Sequence, residues 1–355
     1  MADLNYLIKQ VKRNCDISDA KYWGNYTICG LLLSLRELYR FENGIKPWED
    51  VEKEAILDWI PVREKLWSEL EHQDYIPIKI NNKEYDALDN DSVNAILVPL
   101  GILYGAGYGR HMKPSFFIAE LHKMDVIKGY TVHIAGKEYV RDMAVYPAML
   151  QNKNIIVRRN AILLLLWDRF IELRLNRSKG ALAFAFDSYA VSPDEEPTET
   201  LNIKLMGIAE SEIESYIYHE VGEALEGERL GEEWKNLLFS ISNSRAELLA
   251  RGIKDLLADT SENGMLRRLM DLKNAGSLAF YVSSLRGYRK SIFKEIPEAF
   301  EKLVEAGNWD EIEAARVSCY KRVTLYAGML LDLYREETVR TRLIEHIERE
   351  FSHLF

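Results

Sequence analysis

Residues 191–200, VSPDEEPTET, divide the chain into two parts whose hydrophobic patterns differ. With two prolines and four acidic residues in ten positions, this stretch has little apolar surface to bury and is predicted to be a linker. Before it, helical and strand-like spacings of apolar residues alternate, and after it the spacing is helical throughout. A chain of 355 residues is longer than one hydrophobic core usually serves. We therefore expect an α+β domain over residues 1–190 and an all-helical domain over residues 201–355.

Two short segments of the N-terminal part alternate apolar and polar residues and are predicted to be β-hairpins. They cover residues 76–86, with Asn81-Asn82 at the turn, and residues 130–142, with Gly136 at the turn. The sequences IKINNKEY and VHIAGKEY within them can be overlaid. The two segments are therefore either an internal duplication or two hairpins with the same kind of turn. Together they predict a small antiparallel sheet in a predominantly α-helical protein.

Other segments complete the predicted secondary structure. A strand is expected from Ser115 to Val126, and the alternation of small and aromatic residues from Ala181 to Phe186 predicts one more. In the C-terminal part, glycine, asparagine and proline residues interrupt the helical pattern, which indicates antiparallel helices in a bundle-like domain. The predicted helical segments are residues 201–227, 231–259, 264–287, 291–306 and 309–351.

The cysteines and the N-terminus indicate the compartment. Cys15, Cys29 and Cys319 are far apart and form no C-x-x-C pair, which argues against a disulfide framework and for a reducing compartment. The first residues, MADLNYLIKQ, lack the basic and apolar segments of a signal peptide. The longest uncharged run, residues 92–109, is too short and too rich in glycine to span a membrane. We expect a soluble, cytoplasmic protein that does not bind membranes.

The distribution of charge limits the possible partners. The net charge of −10 arises from residues 191–355, which carry 31 acidic and 21 basic side chains. Residues 101–190 carry 7 acidic and 13 basic side chains, which would suit a small anionic ligand. This excess is too small for a nucleic-acid-binding surface. The 19 tyrosines and 7 tryptophans favour buried aromatic contacts or the interface of a homo-oligomer.

The sequence HEVGE at residues 219–223 is close to the HExxH signature of zinc hydrolases. His219 and Glu223 are four residues apart and therefore lie on one face of a helix. Glu223 stands where the signature has its second histidine, and a carboxylate can also bind zinc, iron or manganese. In this pattern His219 and Glu223 would bind a divalent metal, and Glu220 would be the general base that activates the bound water.

A third metal ligand is expected from the next helix. There the sequence RAELLARGIKDLLAD places Glu247, Asp255 and Asp259 near one face, and we take Glu247 as the predicted ligand. On a helical wheel, the ionisable residues around His219 flank the buried stripe instead of lying within it. They would face either a cleft or solvent, and the second alternative is an ordinary acidic surface with one histidine.

The glycine-rich stretch GAGYGRH at residues 105–111 is a second candidate site. Closely spaced glycines allow backbone N–H groups to converge on an anion, and Arg110 could add a bidentate contact. Gly107, Gly109 and Arg110 are therefore predicted to bind an anionic substrate, and a flexible turn is the alternative. The spacing is GxGxG, and a proline and a strand follow it. This excludes a dinucleotide-binding fingerprint and a P-loop.

Two further metal-site hypotheses involve other histidines. His111, His122 and His133 fall within strand-like sequence, and three histidines on adjacent strands can converge on a metal. E-x-x-H pairs at residues 69–72 and 350–353 match part of the di-iron carboxylate pattern, but each would need glutamates from facing helices.

Two classes of function remain open. The first is a metal-assisted hydrolase or acid–base catalyst that uses the helix around residues 219–223 at a cleft between the two domains. Its cofactor would be a divalent metal such as zinc, iron or manganese, and its substrate an anion. The second is a non-catalytic binding or oligomeric assembly protein whose acidic helical domain is an interaction surface. The absence of any strict catalytic motif favours this second class.

Overall fold

The computed structural model describes residues 3–109, 112–176 and 179–354. They form two compact units. The first contains the residues up to Trp167 together with Pro197–Glu199, and the second contains Asp168–Glu196 together with the residues from Thr200 onward. The first unit combines helices with a five-stranded and a two-stranded sheet, and the C-terminal part is helical. This confirms the predicted α+β, predominantly α-helical fold class.

The described residues of the first unit form helices and strands. Its helices are α1 (Leu4–Tyr22), α2 (Ile28–Asn43), α3 (Lys53–Leu70), α4 (Asn90–Leu97) and α5 (Arg159–Asn176), within which the chain enters the second unit. Its strands are β1 (Ile78–Ile80), β2 (Lys83–Tyr85), β3 (Ile102–Tyr108), β4 (Pro114–Ile127), β5 (Tyr130–Arg141), β6 (Ala148–Gln151) and β7 (Asn154–Arg158). Strands β1 and β2 form a separate antiparallel hairpin with Asn81 and Asn82 at its turn, and both residues have positive φ angles. This is the first predicted hairpin.

The larger sheet has the strand order β3-β4-β5-β7-β6. Neighbouring strands are antiparallel except for β5 and β7, which are parallel. The sequence pattern does not indicate this parallel pair, because hairpin signals identify only strands that are joined by a short turn. The strand predicted from Ser115 to Val126 is confirmed as most of β4.

The predicted turn at Gly136 is wrong. Residues 130–141 form the single strand β5, and Gly136 lies inside it, beside a register shift of β5 against β4. Such β-bulges are positions where a glycine is common within a strand. The turn lies at Lys128-Gly129, which have φ angles of 53° and 85° as a two-residue hairpin loop requires. The segment IKINNKEY forms a hairpin, whereas VHIAGKEY lies within one strand. The two overlaid segments are therefore not copies of one structural unit.

Helix α1 lies between the larger sheet and helices α2 and α3. One side of α1 packs on the sheet through Leu7, Val11 and Cys15. Further along the helix, Ile17 and Ala20 pack with apolar residues of α2 and α3. The two clusters share this helix, so α1 connects the sheet to the helical layer of the unit.

Buried ion pairs fix the sheet to its surroundings. Lys113 Nζ donates to Asp19 Oδ1 at 2.8 Å, and the carboxylate of Asp19 also accepts the Met143 N–H at 3.0 Å. Arg158 donates to both oxygens of Glu138, at 2.7 and 2.9 Å, and the arginine has no exposed surface. The second pair links β5 to the end of β7. Because an unpartnered buried charge is strongly destabilising, each pair depends on both of its members.

The second unit is built from helices that run from α6 to α14. They are α6 (Ala181–Asp187), α7 (Glu199–Ser240), α8 (Arg245–Thr260), α9 (Met265–Asp271), α10 (Ala275–Ser284), α11 (Gly287–Ile292), α12 (Ile296–Ala306), α13 (Trp309–Glu336) and α14 (Arg340–Glu350). Helix α7 is interrupted at Gly231, which has a positive φ of 73°, where the sequence predicts a break. In the described part of the chain, no helix combines the length and hydropathy needed to cross a bilayer.

The strand predicted from Ala181 to Phe186 is wrong, because this segment is helix α6. Leu182, Ala185 and Phe186 are its buried residues, and their spacing is that of one helical face. Three alanines in seven residues also favour a helix. The alternation of small and aromatic residues is therefore not a sign of a strand here.

Candidate metal and acid–base site

Helices α7 and α8 approach each other closely at Gly222. A Cβ atom at this position would lie 2.4 Å from the carbonyl oxygen of Ala258, which is far inside van der Waals contact. Glycine is therefore the residue that permits this approach of the two backbones. The neighbouring side chains of His219 and Glu223 are thereby brought against α8.

His219 is oriented by a buried carboxylate of α8. Its Nδ1 lies 2.6 Å from Oδ1 of Asp259, which has no exposed surface, and Oδ2 of Asp259 lies 3.2 Å from Nη2 of Arg289. The other ring nitrogen of His219, Nε2, lies 3.8 Å from Oε2 of Glu223. A carboxylate on one ring nitrogen is the usual partner of a histidine that binds a metal through the other.

His219, Glu223 and Asp255 form a possible metal-ligand set. Each offers one ligand atom, and the three atoms lie within 4.8 Å of one another. Their side chains remain 23%, 28% and 35% exposed, so a small ion can reach them from solvent. One imidazole and two carboxylates suit manganese or iron and are also compatible with zinc. The structure therefore brings the predicted ligands His219 and Glu223 together and adds Asp255.

Two basic side chains border this ligand set. Lys254 Nζ donates to Oε1 of Glu223 at 2.6 Å, which leaves Oε2 as the oxygen nearer to His219. Arg289 Nη1 lies 3.9 Å from Oδ2 of Asp255. These two cations neutralise part of the negative charge of Glu223 and Asp255, which a bound metal would also neutralise.

Asp259 determines the protonation of His219. Burial alone would lower the pKa of the imidazole, but the Asp259 carboxylate outweighs this effect and raises the pKa to about 10. Burial would raise the pKa of Asp259, but the pairing with His219 lowers it. Without a metal, His219 is therefore protonated at neutral pH, and a metal would have to displace this proton.

Glu220 and Glu223 differ in their acidity although they are close in sequence. Glu220 is 7% exposed and accepts no hydrogen bond from the described residues. Burial and the charge of Glu223 raise the pKa of Glu220 to about 8. Burial would raise the pKa of Glu223 too, but Lys254 and His219 lower it. One carboxyl is thus suited to bind a cation and the other to exchange a proton near neutral pH.

The predicted third ligand, Glu247, lies outside this set. Its Oε2 accepts the Asn243 N–H at 2.7 Å, its Oε1 accepts from Arg251 at 2.7 Å, and its own N–H donates to the N-cap side chain of Ser244. Glu247 thus belongs to the N-terminal cap of α8, and Asp255, two turns later, faces His219. The sequence S-x-x-E before an apolar run is typical of such a cap.

The predicted anion-binding loop at the glycines is wrong for the residues that the structure describes. Gly107 is buried within β3, where a Cβ atom would lie 2.8 Å from the Gln151 side chain. The N–H of Gly109 donates to the carbonyl oxygen of Lys113 at 2.9 Å and is not free for an anion. These glycines allow close packing around a strand. Arg110 lies outside the described residues.

The other histidine hypotheses gain no support. Within residues 3–109, 112–176 and 179–354, the group of three ligand side chains with metal-like spacing is the one at His219. His122 and His133 lie on the neighbouring strands β4 and β5 but are not part of such a group, and His111 lies outside the described residues.

Some residues of the site are not apparent from the sequence. Lys254 and Arg289 look like ordinary surface charges of amphipathic helices, and Gly222 looks like a weak point within a helix. The signal for Asp259 is its spacing of four residues from Asp255, which puts both on the face of α8 that meets His219.

Together the fold and the site define a protein of two units, a mixed α+β part and a helical part that carries a half-buried histidine–carboxylate cluster. Residues 6–158 match the N-terminal domain, and residues 163–353 the C-terminal domain, of the family described as "Family of unknown function (DUF6866)". The chain therefore belongs to this family. Searches among curated proteins and among solved structures found no match.

Proposed function

We propose that the C-terminal part is a metal-assisted hydrolase in which His219, Glu223 and Asp255 hold one divalent ion. The observation that carries this proposal is the position of His219, with Nδ1 at 2.6 Å from Asp259 and Nε2 beside Glu223. A histidine that binds a metal commonly has a carboxylate on its other ring nitrogen, which fixes the orientation of the ring and raises its basicity. The ligand set favours manganese or iron over zinc because it is rich in oxygen donors.

In this proposal Glu220 is the general base. A divalent ion beside it would favour its ionised form, so its pKa, now about 8, would fall towards neutrality. Glu220 would accept a proton from a water molecule at the ion, and the oxygen of that water would attack an ester, amide or phosphoryl centre of the substrate. The proton would then pass from Glu220 to the leaving group. Lys254 and Arg289, at the border of the site, would favour an anionic substrate.

A metal-free acid–base catalyst is the second candidate. It is favoured by the contacts of Lys254 with Glu223 and of Arg289 with Asp255 and Asp259, which already compensate the carboxylates. In that case the His219–Asp259 pair and Glu220 would transfer protons without an ion.

Metal binding distinguishes the two candidates. Protein purified without chelators is analysed by inductively coupled plasma mass spectrometry, and Mn²⁺, Fe²⁺ and Zn²⁺ affinities of the metal-depleted protein are measured by calorimetry. We expect one ion per chain, and an affinity at least about tenfold weaker for Glu223→Gln and for Asp255→Asn. Glu247→Gln is the control, because Glu247 lies on the same helix as Asp255 but pairs with Asn243 and Arg251 outside the ligand set; the metal affinity of this variant should not change.

Hydrolysis is tested on the protein loaded with the ion that binds best. Chromogenic carboxylic and phosphoric esters serve as general substrates, and Glu220→Gln should retain the ion but lose roughly 10²–10⁴ of the rate. The absence of any bound ion, or equal affinities in Glu223→Gln, Asp255→Asn and Glu247→Gln, would exclude the metal-assisted mechanism and leave the metal-free candidate. If Glu220→Gln retains both the ion and the full rate, Glu220 is not the base.

We also propose that the protein acts in the cytoplasm. Cys15, Cys29 and Cys319 are all free thiols, and two of them are buried. Free thiols are typical of a reducing compartment. Cell fractionation that finds the protein in an oxidising compartment would contradict this proposal.

A further inference from the structure

A cavity lies in the helical unit and shares no lining residue with the cluster around His219. Its volume is about 850 Å³. Helix α6 contributes Ala181 and Phe184 to its lining, and helix α12 contributes Pro297, Phe300 and Val304. Both sets follow helical spacing, so one face of each helix is turned towards the cavity. Small-molecule sites in proteins usually have about 300–1,000 Å³.

The inner surface of this cavity is aromatic and aliphatic. Phe184 and Phe300 meet edge to face, with ring centroids 5.5 Å apart and an angle of 86° between the ring planes. Phe300 is only 5% exposed, whereas Val304, one turn later, is 46% exposed. The wall formed by α12 thus extends from a buried aromatic base to an open apolar mouth, which suits an elongated apolar ligand.

The charges at the mouth are mostly negative. Asp187, Glu301 and Glu305 line the cavity with exposed side chains, and Lys179 is the basic residue among its lining side chains. None of the three carboxylates forms an ion pair with a residue that the structure describes. Three carboxylates and one ammonium group leave a local charge of −2. An anionic ligand would be repelled, and a cationic group would be attracted.

We propose that this cavity binds a small organic cation with an apolar body, such as an alkyl or aryl amine. The apolar body would lie against Phe184, Phe300 and Val304, and the cationic group would lie near Glu301 and Glu305. This proposal is independent of the metal site, since none of these residues belongs to it.

Two probes with the same chain and opposite charge test the proposal. Decyltrimethylammonium and decyl sulfate, both below their critical micelle concentrations, are titrated by calorimetry into the protein of 355 residues. We expect saturable binding of about one ammonium molecule per chain, at least about tenfold tighter than binding of the sulfate. Adding salt should weaken the binding of the ammonium probe, because the carboxylates are exposed.

Variants locate the binding site. The double variant Glu301→Gln/Glu305→Gln, which changes only exposed side chains, should weaken ammonium binding roughly three- to tenfold. Glu298→Gln is the matched control on the same helix, because Glu298 is absent from the lining and contacts Lys302; it should have no effect. Phe300→Leu, which keeps an apolar side chain in the buried position, should weaken both probes.

Equal affinity for the two probes, no saturable binding of the ammonium probe, or an unchanged affinity in the double variant would each exclude an organic-cation site here. Binding of a basic amphipathic peptide without binding of the small cation would also overturn it, because a peptide partner would then be the occupant of this surface.

Discussion

His219 is the residue on which the proposed activity depends, and Asp259 controls it. We expect Asp259→Asn to lower the pKa of His219 from about 10 towards the ordinary value of about 6.5, because the neutral amide removes the attraction for the imidazolium. Titration of the imidazole ¹H and ¹³C resonances by NMR measures this change. Asp255→Asn should lower the same pKa much less, because Asp255 makes the smaller contribution. An unchanged pKa in Asp259→Asn would show that another group protonates the ring.

The same pair has a consequence for stability. The pKa of His219 is higher in the folded state than in the unfolded chain, so the contribution of the pair is complete below about pH 6.5 and is lost as the pH rises through about 10. The free energy of unfolding of the wild type should therefore decrease relative to that of Asp259→Asn over this range. Urea denaturation at pH 7 and pH 10 measures the difference.

Glu220 is expected to reduce stability where it is ionised. Its pKa is about 8 in the folded state and near 4.5 in the unfolded chain, so its proton is held more tightly by the folded protein and stability falls between these values. Glu220→Gln should therefore stabilise the metal-free protein at pH 8–9, by about 1–3 kcal/mol, and by much less at pH 5. Urea denaturation at the two pH values checks this.

Glu226→Gln is the control for this comparison. Glu226 lies on the same helix and is 6% exposed, but it accepts hydrogen bonds from Arg229 and Tyr320. Removal of that charge should destabilise the protein instead of stabilising it. If both variants are destabilised at pH 8–9, Glu220 has a partner that compensates its burial.

The sequence predicts where the candidate site lies better than it predicts which residues form the site. His219 and Glu223 follow from their spacing on a helix, and the structure places them together. To identify the third ligand, one must know which turn of α8 meets α7. Helical spacing shows only which residues share a face of α8. Glu247 and Asp255 are eight residues apart and nearly share that face, so the sequence alone does not distinguish them.

Helix α7 and helix α8 form the site because a glycine lets them touch. We expect Gly222→Ala to destabilise the protein by about 1–3 kcal/mol, because the added methyl group would lie 2.4 Å from a backbone oxygen of α8 and the helices would have to separate. Metal affinity should fall as well. Thermal or urea denaturation and calorimetry measure the two effects.

Gly207→Ala, on the same helix, is the matched control. A Cβ atom there meets no atom within 4 Å, so the better helix propensity of alanine should stabilise the protein by about 0.5–1 kcal/mol. Equal effects of the two substitutions would mean that the close approach at Gly222 is not required.

Two elements that the sequence does not predict correctly differ in cause. In residues 130–142 the strand is predicted correctly, but Gly136 lies within it and does not form the turn. In residues 181–186 the structure is a helix, because alternation over six residues is compatible with either a strand or a helix and tertiary packing selects between them. Longer patterns, such as those of α7 and α8, are not subject to this ambiguity, and both segments are helical as predicted. The predicted helix over residues 231–259 is wrong in its extent, because a break at residues 241–244 divides it between α7 and α8.

For the whole molecule, the residues of the candidate site all belong to the second unit. We expect a fragment of residues 159–355, which begins with α5, to fold and to bind the metal ion with the affinity of the full chain. Circular dichroism and calorimetry measure both properties. A folded fragment that no longer binds the ion would show that the first part of the chain supplies a ligand.

The broad architecture follows from the sequence because it depends on long-range averages. The change from mixed to purely helical spacing predicts a mixed N-terminal and a helical C-terminal part, as observed. The parallel pairing of β5 and β7 and the interior position of α1 depend on contacts between distant residues, and no local pattern encodes them.

The fully buried contact between Glu138 and Arg158 restricts how this family can diverge. Loss of Arg158 would leave Glu138 only the longer contact with Arg141, at 3.9 Å, and loss of Glu138 would leave Arg158 buried without its hydrogen-bonded carboxylate. Each loss would cost about 3–5 kcal/mol, whereas an apolar pair at both positions is often tolerated. Replacing the two residues one at a time would therefore pass through an unstable intermediate sequence. Across relatives, we expect these two positions either to keep their opposite charges or to have lost both together.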